Sequence, residues 1–254
     1  MKNDELRICG LTAVRARFDR DPGSIIRLFF DAPMARRIGP MCSALAAAKK
    51  IYRCVEPAEL EKIAETVHHG SIVAIVAGTP DRIATAAEAA AWAAKRESVV
   101  ILDGIGNAHN LGAIARTAAF FGVPRLAIAS DQGSARPGES AYRVAEGGLE
   151  HVEVWTIVYV PAFLRALAEA GFDVVGAATI GGKSLSGKGR PGVRDPAAPW
   201  ALVLGNEEKG LSAETAAACT RLVTIPGSGK IESLNVAAAA AVLLFDLVSA
   251  RRGR

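Results

Sequence analysis

The chain has 254 residues, 50% of them apolar, 22% charged and 6% aromatic, which supplies a core for one large or two modest domains and excludes wholesale disorder. Its longest apolar run, Val236 to Phe245, stops at Asp246 after ten residues, short of the roughly 18 that a membrane span needs, and the opening residues have no apolar stretch of the secretory-signal kind. The net charge of +4 is uneven: residues 1–55 carry eleven Lys/Arg against five acids, a front that suits a polyanion such as RNA, or an ordinary solvated face.

The apolar spacing predicts a helix over Ile8 to Asp19, a strand over Ile25 to Phe30 and a helix over Met34 to Lys50. A strand follows at Ile51 to Val55, then a helix opening on Pro57 with acids in its first turn. Ser71 to Ala77 is a buried strand that closes a small α/β unit. Residues 78–97 start Gly-Thr-Pro-Asp and continue alanine-rich, as a linker carrying a surface helix.

From residue 98 the chain alternates apolar strands with helices. Strands are expected at Val99–Leu102, Arg125–Ala129, Val152–Ile157, Asp173–Ala178, Trp200–Leu204 and Leu222–Pro226. Helices are expected near 111–122, 161–171, 211–219 and 234–251. That alternation predicts an α/β fold, a mainly parallel sheet with helices on both faces.

Ligands of open parallel sheets bind beyond the carboxyl ends of strands. Three exits here carry polar residues that a core does not need. The first runs from Asp103 through Asn110 and Gly112 to Arg116, the second is Gly205-Asn206-Glu207-Glu208-Lys209-Gly210, and the third runs from Gly227 through Ser233 and Leu234 to Asn235. Each residue also has an ordinary reading: Asn110 as an N-cap, Arg116 as a solvated helix charge, the two glutamates as turn residues, Ser233 or Asn235 as a cap. Capping needs one polar residue per helix, however, and these turns supply several.

Other chemistries fit less well. Gly104-Ile-Gly106 follows a strand and opens a helix, but His109 stands where a dinucleotide fingerprint needs its third glycine. Gly182-Lys183-Ser184 resembles a P-loop, yet glycines and a proline follow where a phosphate-binding helix must start. A basic loop with Lys183, Lys188, Arg190 and Arg194 accounts for it better. The four histidines (His68, His69, His109, His151) lack metal-ligand spacing, so no metal is expected. Cys9, Cys42, Cys54 and Cys219 form no Cys-x-x-Cys pair and are expected as reduced thiols of a cytoplasmic protein.

At the three exits the chain resembles the SpoU-type (TrmH-like) RNA 2′-O-ribose methyltransferases of the SPOUT superfamily. Asn110-x-Gly112 with Arg116 is similar to the family's first motif, Leu202 to Leu211 to its second, and Ile225-Pro226 with Ser233-Leu-Asn-Val236 to its third. The front segment, from Ile8 through His68-His69-Gly70 and its strand, resembles the family's accessory domain of ribosomal-protein-L30e-like fold. The resemblance implies three parts: an L30e-like RNA substrate-binding domain over 1–77, a linker over 78–97, and a catalytic domain over 98–254 with a deep carboxyl-terminal trefoil knot. It also implies S-adenosylmethionine as methyl donor, a homodimer, and structured ribosomal or transfer RNA as substrate, with neither membrane nor DNA as partner. Asn110, Arg116, Glu207, Ser233 and Asn235 match catalytic positions, and Leu204, Gly205, Ile225, Leu234, Ala178 and Thr179 cofactor-binding ones.

The chemistry agrees with those residue types. Methyl transfer from a sulfonium needs an in-line nucleophile rather than a metal, and a 2′-hydroxyl nucleophile excludes DNA. A guanidinium stays protonated at neutral pH, so Arg116 is expected to bind the target phosphate and stabilise developing alkoxide charge rather than act as base. A catalytically silent RNA-binding relative is the alternative.

Overall fold

The computed structural model describes residues 5–185 and 198–251; Lys188, Arg190 and Arg194 of the expected basic loop lie outside them. The first unit starts with strand β1 (Glu5–Cys9) and helix α1 (Leu11–Arg20). Glu5–Cys9 therefore corrects the helix expected from Ile8. This segment pairs antiparallel with a later strand, and Gly10 breaks the chain between strand and helix at φ 88°, a conformation that glycine adopts without a Cβ clash.

Strand β2 (Ile25–Phe30) and the short helix α2 (Ala32–Ala35) come next, then α3 (Gly39–Ala47). The single helix expected over 34–50 is thus two, because Pro40 lacks an amide proton and is tolerated only in a first turn. Strand β3 (Ile51–Cys54), helix α4 (Pro57–Ala64) and strand β4 (Ile72–Ala77) complete a four-stranded sheet in the order β1-β4-β2-β3.

Helix α5 (Ala86–Ala94) carries a capping box, Thr85 with Glu88, and buries Ala89 and Trp92. Strand β5 (Val99–Asp103), helix α6 (Ala108–Phe121) and strand β6 (Arg125–Ala129) follow. Two short helices that the sequence pattern does not announce, α7 (Glu139–Ala145) and α8 (Gly148–His151), precede strand β7 (Glu153–Ile157). Helix α9 (Val160–Glu169), strand β8 (Asp173–Ala177), the two-residue strand β9 (Lys183–Ser184) and strand β10 (Trp200–Gly205) lead to helix α10 (Ala213–Ala218), strand β11 (Arg221–Thr224) and helix α11 (Val236–Arg251).

The larger sheet has the order β7-β6-β5-β10-β8-β11-β9, and all its pairings are parallel. Its strands alternate between two cores, as period 2 requires. Val100, Leu102, Leu202 and Leu204 join a cluster with α6, α11 and the front unit. Val99, Ile101, Ala201 and Val203 join Trp92, Phe163, Leu164 and Leu167 on the opposite face. Trp92 meets Trp155 and Phe163 edge-on, with centroids 5.3 and 5.8 Å apart.

The first cluster runs unbroken from Ile8, Val14 and Leu28 to Leu111, Tyr142 and Leu149, so the two units share one core. Helix α1 seals the seam. Arg17 Nε donates to Glu150 Oε1 at 2.8 Å, its Nη2 donates to Tyr142 Oη at 3.0 Å, and Arg20 Nη1 donates to the Glu150 carbonyl at 2.6 Å.

Candidate active site

Strand pairing sets Gly205 opposite Asp103, so the turns that leave β5 and β10 start side by side. Asn206 stitches them together: its Nδ2 donates to the Gly104 carbonyl at 2.7 Å, while its Oδ1 accepts from the amides of Glu208 and Lys209. A Cβ at Gly205 would fall 2.4 Å from the Gly210 carbonyl carbon. Only glycine lets this turn fold back so tightly, and the fold brings Glu207 out over the neighbouring exit.

Helix α6 is capped by Asn107, whose side chain accepts from the His109 amide at 2.8 Å; such a cap contributes about 1 kcal/mol. Asn110 is therefore not the cap, and its side chain is free to reach elsewhere. Its Nδ2 donates to Glu207 Oε1 at 2.9 Å, and its Oδ1 accepts from Asn235 Nδ2 at 3.1 Å. Glu207 also accepts from the Gly106 and Asn107 amides at 3.3 and 3.4 Å. Burial opposes ionisation of Glu207, but these donors outweigh it and hold the carboxyl below its ordinary value.

Asn235 has two roles, since its Oδ1 accepts from the Ala237 amide at 2.9 Å and so caps α11. Three of the five expected catalytic residues thus form one hydrogen-bonded group, drawn from three strand exits. Ser233 stands exposed two residues before Asn235 and, among the described residues, is not joined to the group. Arg116 pairs instead with Glu146, Nη2 to Oε2 at 3.0 Å.

The expected cofactor positions surround the ends of three adjacent strands, β10, β8 and β11. Leu204 and Gly205 are buried at the end of β10, and Ile225 is half-buried just past β11. The Ala178 amide donates to the Val223 carbonyl at 2.9 Å, and Thr179 is exposed. Leu234 and Ile180 are large apolar side chains left exposed at these exits. Backbone groups beside uncovered apolar side chains fit a ligand with a flat, apolar body and a hydrogen-bonding edge, which is the character of an adenosine. Lys183 and Ser184 form a strand rather than a helix start, in line with the rejection of a P-loop.

Four residues take roles that the sequence reading did not assign. Asn107 and Asn206 brace the turns. Asp103 Oδ2 accepts from Thr215 Oγ1 at 2.8 Å; burial pushes its carboxyl up against that bond, with Asp131 adding. Glu146 holds Arg116 from a helix end without any motif. Cys219 lies close by, but burial, helped by Asp103, pushes its thiol up to about 12, which removes it as a nucleophile at neutral pH. Among the described residues no group of three or more His, Cys, Asp or Glu gathers as a metal site would require.

Comparison with known proteins gives this geometry its context. Residues 97–245 match the SpoU rRNA Methylase family, and residues 7–80 match a domain described as RNA 2′-O ribose methyltransferase substrate binding. The 23S rRNA (guanosine-2′-O-)-methyltransferase RlmB of Yersinia pestis is 31% identical over 245 residues, covering 96% of this chain and 97% of its own. The uncharacterised tRNA/rRNA methyltransferase YfiF of Escherichia coli O157:H7 is 32% identical over 246 residues, 96% of this chain and 68% of that one. A TrmH-family structure from Porphyromonas gingivalis superposes with a TM-score of 0.71 at 26% identity, over 95% of this chain and 88% of the other. An rRNA methyltransferase from Sinorhizobium meliloti, at 23% identity, shares the fold with a TM-score of 0.75 over 99% and 88%.

Proposed function

The chain belongs to the SpoU rRNA methylase family, and from that premise we propose that it transfers the methyl group of S-adenosylmethionine to a ribose 2′-hydroxyl of structured RNA, with Asn110, Arg116, Glu207, Ser233 and Asn235 at the reaction centre. One observation carries the assignment to this edge of the sheet: the hydrogen-bonded group Asn110–Glu207–Asn235 ties together all three polar strand exits.

The cofactor, when bound, supplies an electrophilic sulfonium methyl. The protein's part is to place a sugar oxygen in line with it and to stabilise the charge that grows there. Glu207, fixed in its ionised form by Asn110 and two amides, braces the first turn against the second. Asn235 donates a side-chain amide proton to Asn110 and so locks the start of α11 to α6. Arg116 is more than half exposed, so its guanidinium can meet a target phosphate and the developing alkoxide. Leu204, Gly205, Ile225, Leu234, Ala178 and Thr179 would line the adenosine.

Residues 1–77 serve as the RNA-gathering domain and 98–254 as catalytic domain; 78–97 joins them, but its helix α5 is no surface helix, since Ala89 and Trp92 pack into the core of the larger sheet. Ribosomal RNA is the first substrate to test, because the Yersinia relative matches along nearly its whole length. A homodimer is part of the reading. Phe120, Val242 and Phe245 leave an apolar face exposed on α6 and α11, where the Phe121 and Phe245 rings lie 6.4 Å apart, and a second copy would cover it. The knot belongs here too, supported by a sheet order in which β8 sits between β10 and β11. A cytoplasmic setting is favoured by four unpaired cysteines.

Calorimetry with S-adenosylmethionine followed by tritiated methyl transfer into ribosomal and transfer RNA tests the proposal. Label retained after base removal but absent from 2′-deoxy substrate is the expected result. RNA binding without transfer would leave only the silent relative.

A further inference from the structure

The salt bridge from Arg116 leads into a turn that the three sequence motifs do not include. Glu146 and Gly147 connect α7 to α8, which opens on Gly148. Glu146 and Gly147 are both left-handed, at φ 43° and 90°. A Cβ on Gly148 would fall 2.6 Å from Arg116 Cα, so the turn lies directly against the helix backbone that carries the arginine. A Cβ on Gly147 would meet Ala16 Cβ, on α1 of the front unit, at 3.0 Å. Two residues later Glu150 receives Arg17 and Arg20 from the same helix. One five-residue segment therefore touches Arg116 on one side and the front unit on the other.

Glutamate is a poor local choice at residue 146. A left-handed conformation strains a residue with a Cβ where glycine is at ease, and the carboxylate reduces the positive field that an RNA-facing arginine presents. Its return is directional: one carboxylate oxygen holds Nη2 and leaves the rest of the guanidinium's donors for another anion.

We infer that Glu146 is a positioning residue for methyl transfer, which aims the Arg116 guanidinium at the RNA phosphate and registers it, through the 146–150 turn, to the domain that grips the RNA. The inference rests on the RNA-methyltransferase reading above. The front unit then sets the direction of the arginine as well as the affinity for substrate.

Steady-state transfer into RNA, with RNA binding measured separately, tests this in Glu146→Ala, Glu146→Asp and Glu146→Gly. Glu146→Gly relieves the backbone, and an unchanged urea midpoint measured beside the kinetics assigns any loss of turnover to the missing carboxylate. Removing the carboxylate should lower kcat about fivefold, as an exposed pair allows, while KM for RNA stays level or falls because a competing negative charge is gone. Glu146→Asp should recover at least half of the lost kcat. In an Arg116→Lys background, Glu146→Ala should change kcat by less than about twofold, since the two side chains act as one unit. Unchanged kcat with raised KM, or an equal loss in the Arg116→Lys background, overturns the inference while wild-type transfer leaves the parent reading intact. A wild-type protein that methylates no RNA overturns both.

Discussion

Glu146 and Glu150 lie four residues apart and each holds an arginine, but they do so in opposite surroundings. The side chains of Arg17 and Glu150 are 7% and 1% exposed, whereas those of Arg116 and Glu146 are 56% and 54% exposed. The first pair is reinforced by Tyr142 Oη and by Arg20 on the Glu150 carbonyl; the second has one contact. Charges removed from water are hard to separate once paired, because either one alone is left desolvated. An exposed pair contributes at most about 1 kcal/mol and exchanges readily for another ion. The buried pair thus fixes how the front unit sits on the catalytic sheet, and the open pair keeps an arginine ready to change partners.

The largest effect should come from breaking the buried pair. Arg17→Ala is expected to lower stability by about 3–5 kcal/mol, measured as a shift in the urea midpoint at constant slope. Protonation of the stranded Glu150 limits that cost. Arg116→Ala should do the reverse: stability moves by no more than about 0.5 kcal/mol, while methyl transfer falls about 10²–10³-fold, the usual loss when one donor to a developing oxyanion is removed. Near-normal turnover in Arg116→Lys would defeat the two-pronged contact proposed for the guanidinium. A large stability loss in Arg116→Ala would erase the contrast between the two pairs.

How much of this arrangement the sequence announces depends on the kind of interaction. The strands of the larger sheet are legible because a parallel strand covered on both faces is an uninterrupted apolar run, as in Val99–Leu102 and Trp200–Leu204. Asn110, Glu207 and Asn235 are legible as polar residues at strand exits, but not as partners: the hydrogen bonds joining them span 97 and 125 residues. Glu5–Cys9 was hidden because its apolar residues abut those of α1 with only Gly10 between, so helical spacing runs on into the strand. Helices α7 and α8 are too short to show periodicity, and Glu146 at their junction has no motif to mark it. Gly39-Pro40, by contrast, was a visible break inside a predicted helix that hydrophobic spacing overrode.

A smaller effect separates bracing from charge at the reaction centre. Glu207→Gln replaces a carboxylate that accepts three hydrogen bonds with a group offering one carbonyl oxygen and an amide that repels N–H donors. With the remaining oxygen at Oε1, where it still serves Asn107 and Asn110, the Gly106 amide on Oε2 loses its acceptor; this should cost transfer about tenfold, read by single-turnover kinetics, with RNA affinity preserved. The donors hold Glu207 below its ordinary value, so its bracing is present at neutral pH and is lost only as pH falls through that lowered value. Wild-type transfer should therefore persist on acidification after an ordinary carboxylate would have begun to protonate.

The smallest effect tests the buried pair by its pH dependence. Burial pushes the Glu150 carboxyl up, against the opposing pull of Arg17, Arg20 and His151. A carboxyl raised on folding binds its proton more tightly in the native state. Its contribution to stability is then fully present below the unfolded value and is lost as pH climbs through the raised one. Glu150→Gln keeps the size and an acceptor oxygen but removes the titration. The stability difference between wild type and this variant, taken from urea unfolding at a series of pH values, should shrink as pH rises from about 4 and then level off. A difference that grows with pH would mean the opposite balance, with attraction to Arg17 exceeding the cost of burial. Glu150 would then hold the front unit mainly through charge, and the two pairs would differ in strength rather than in kind.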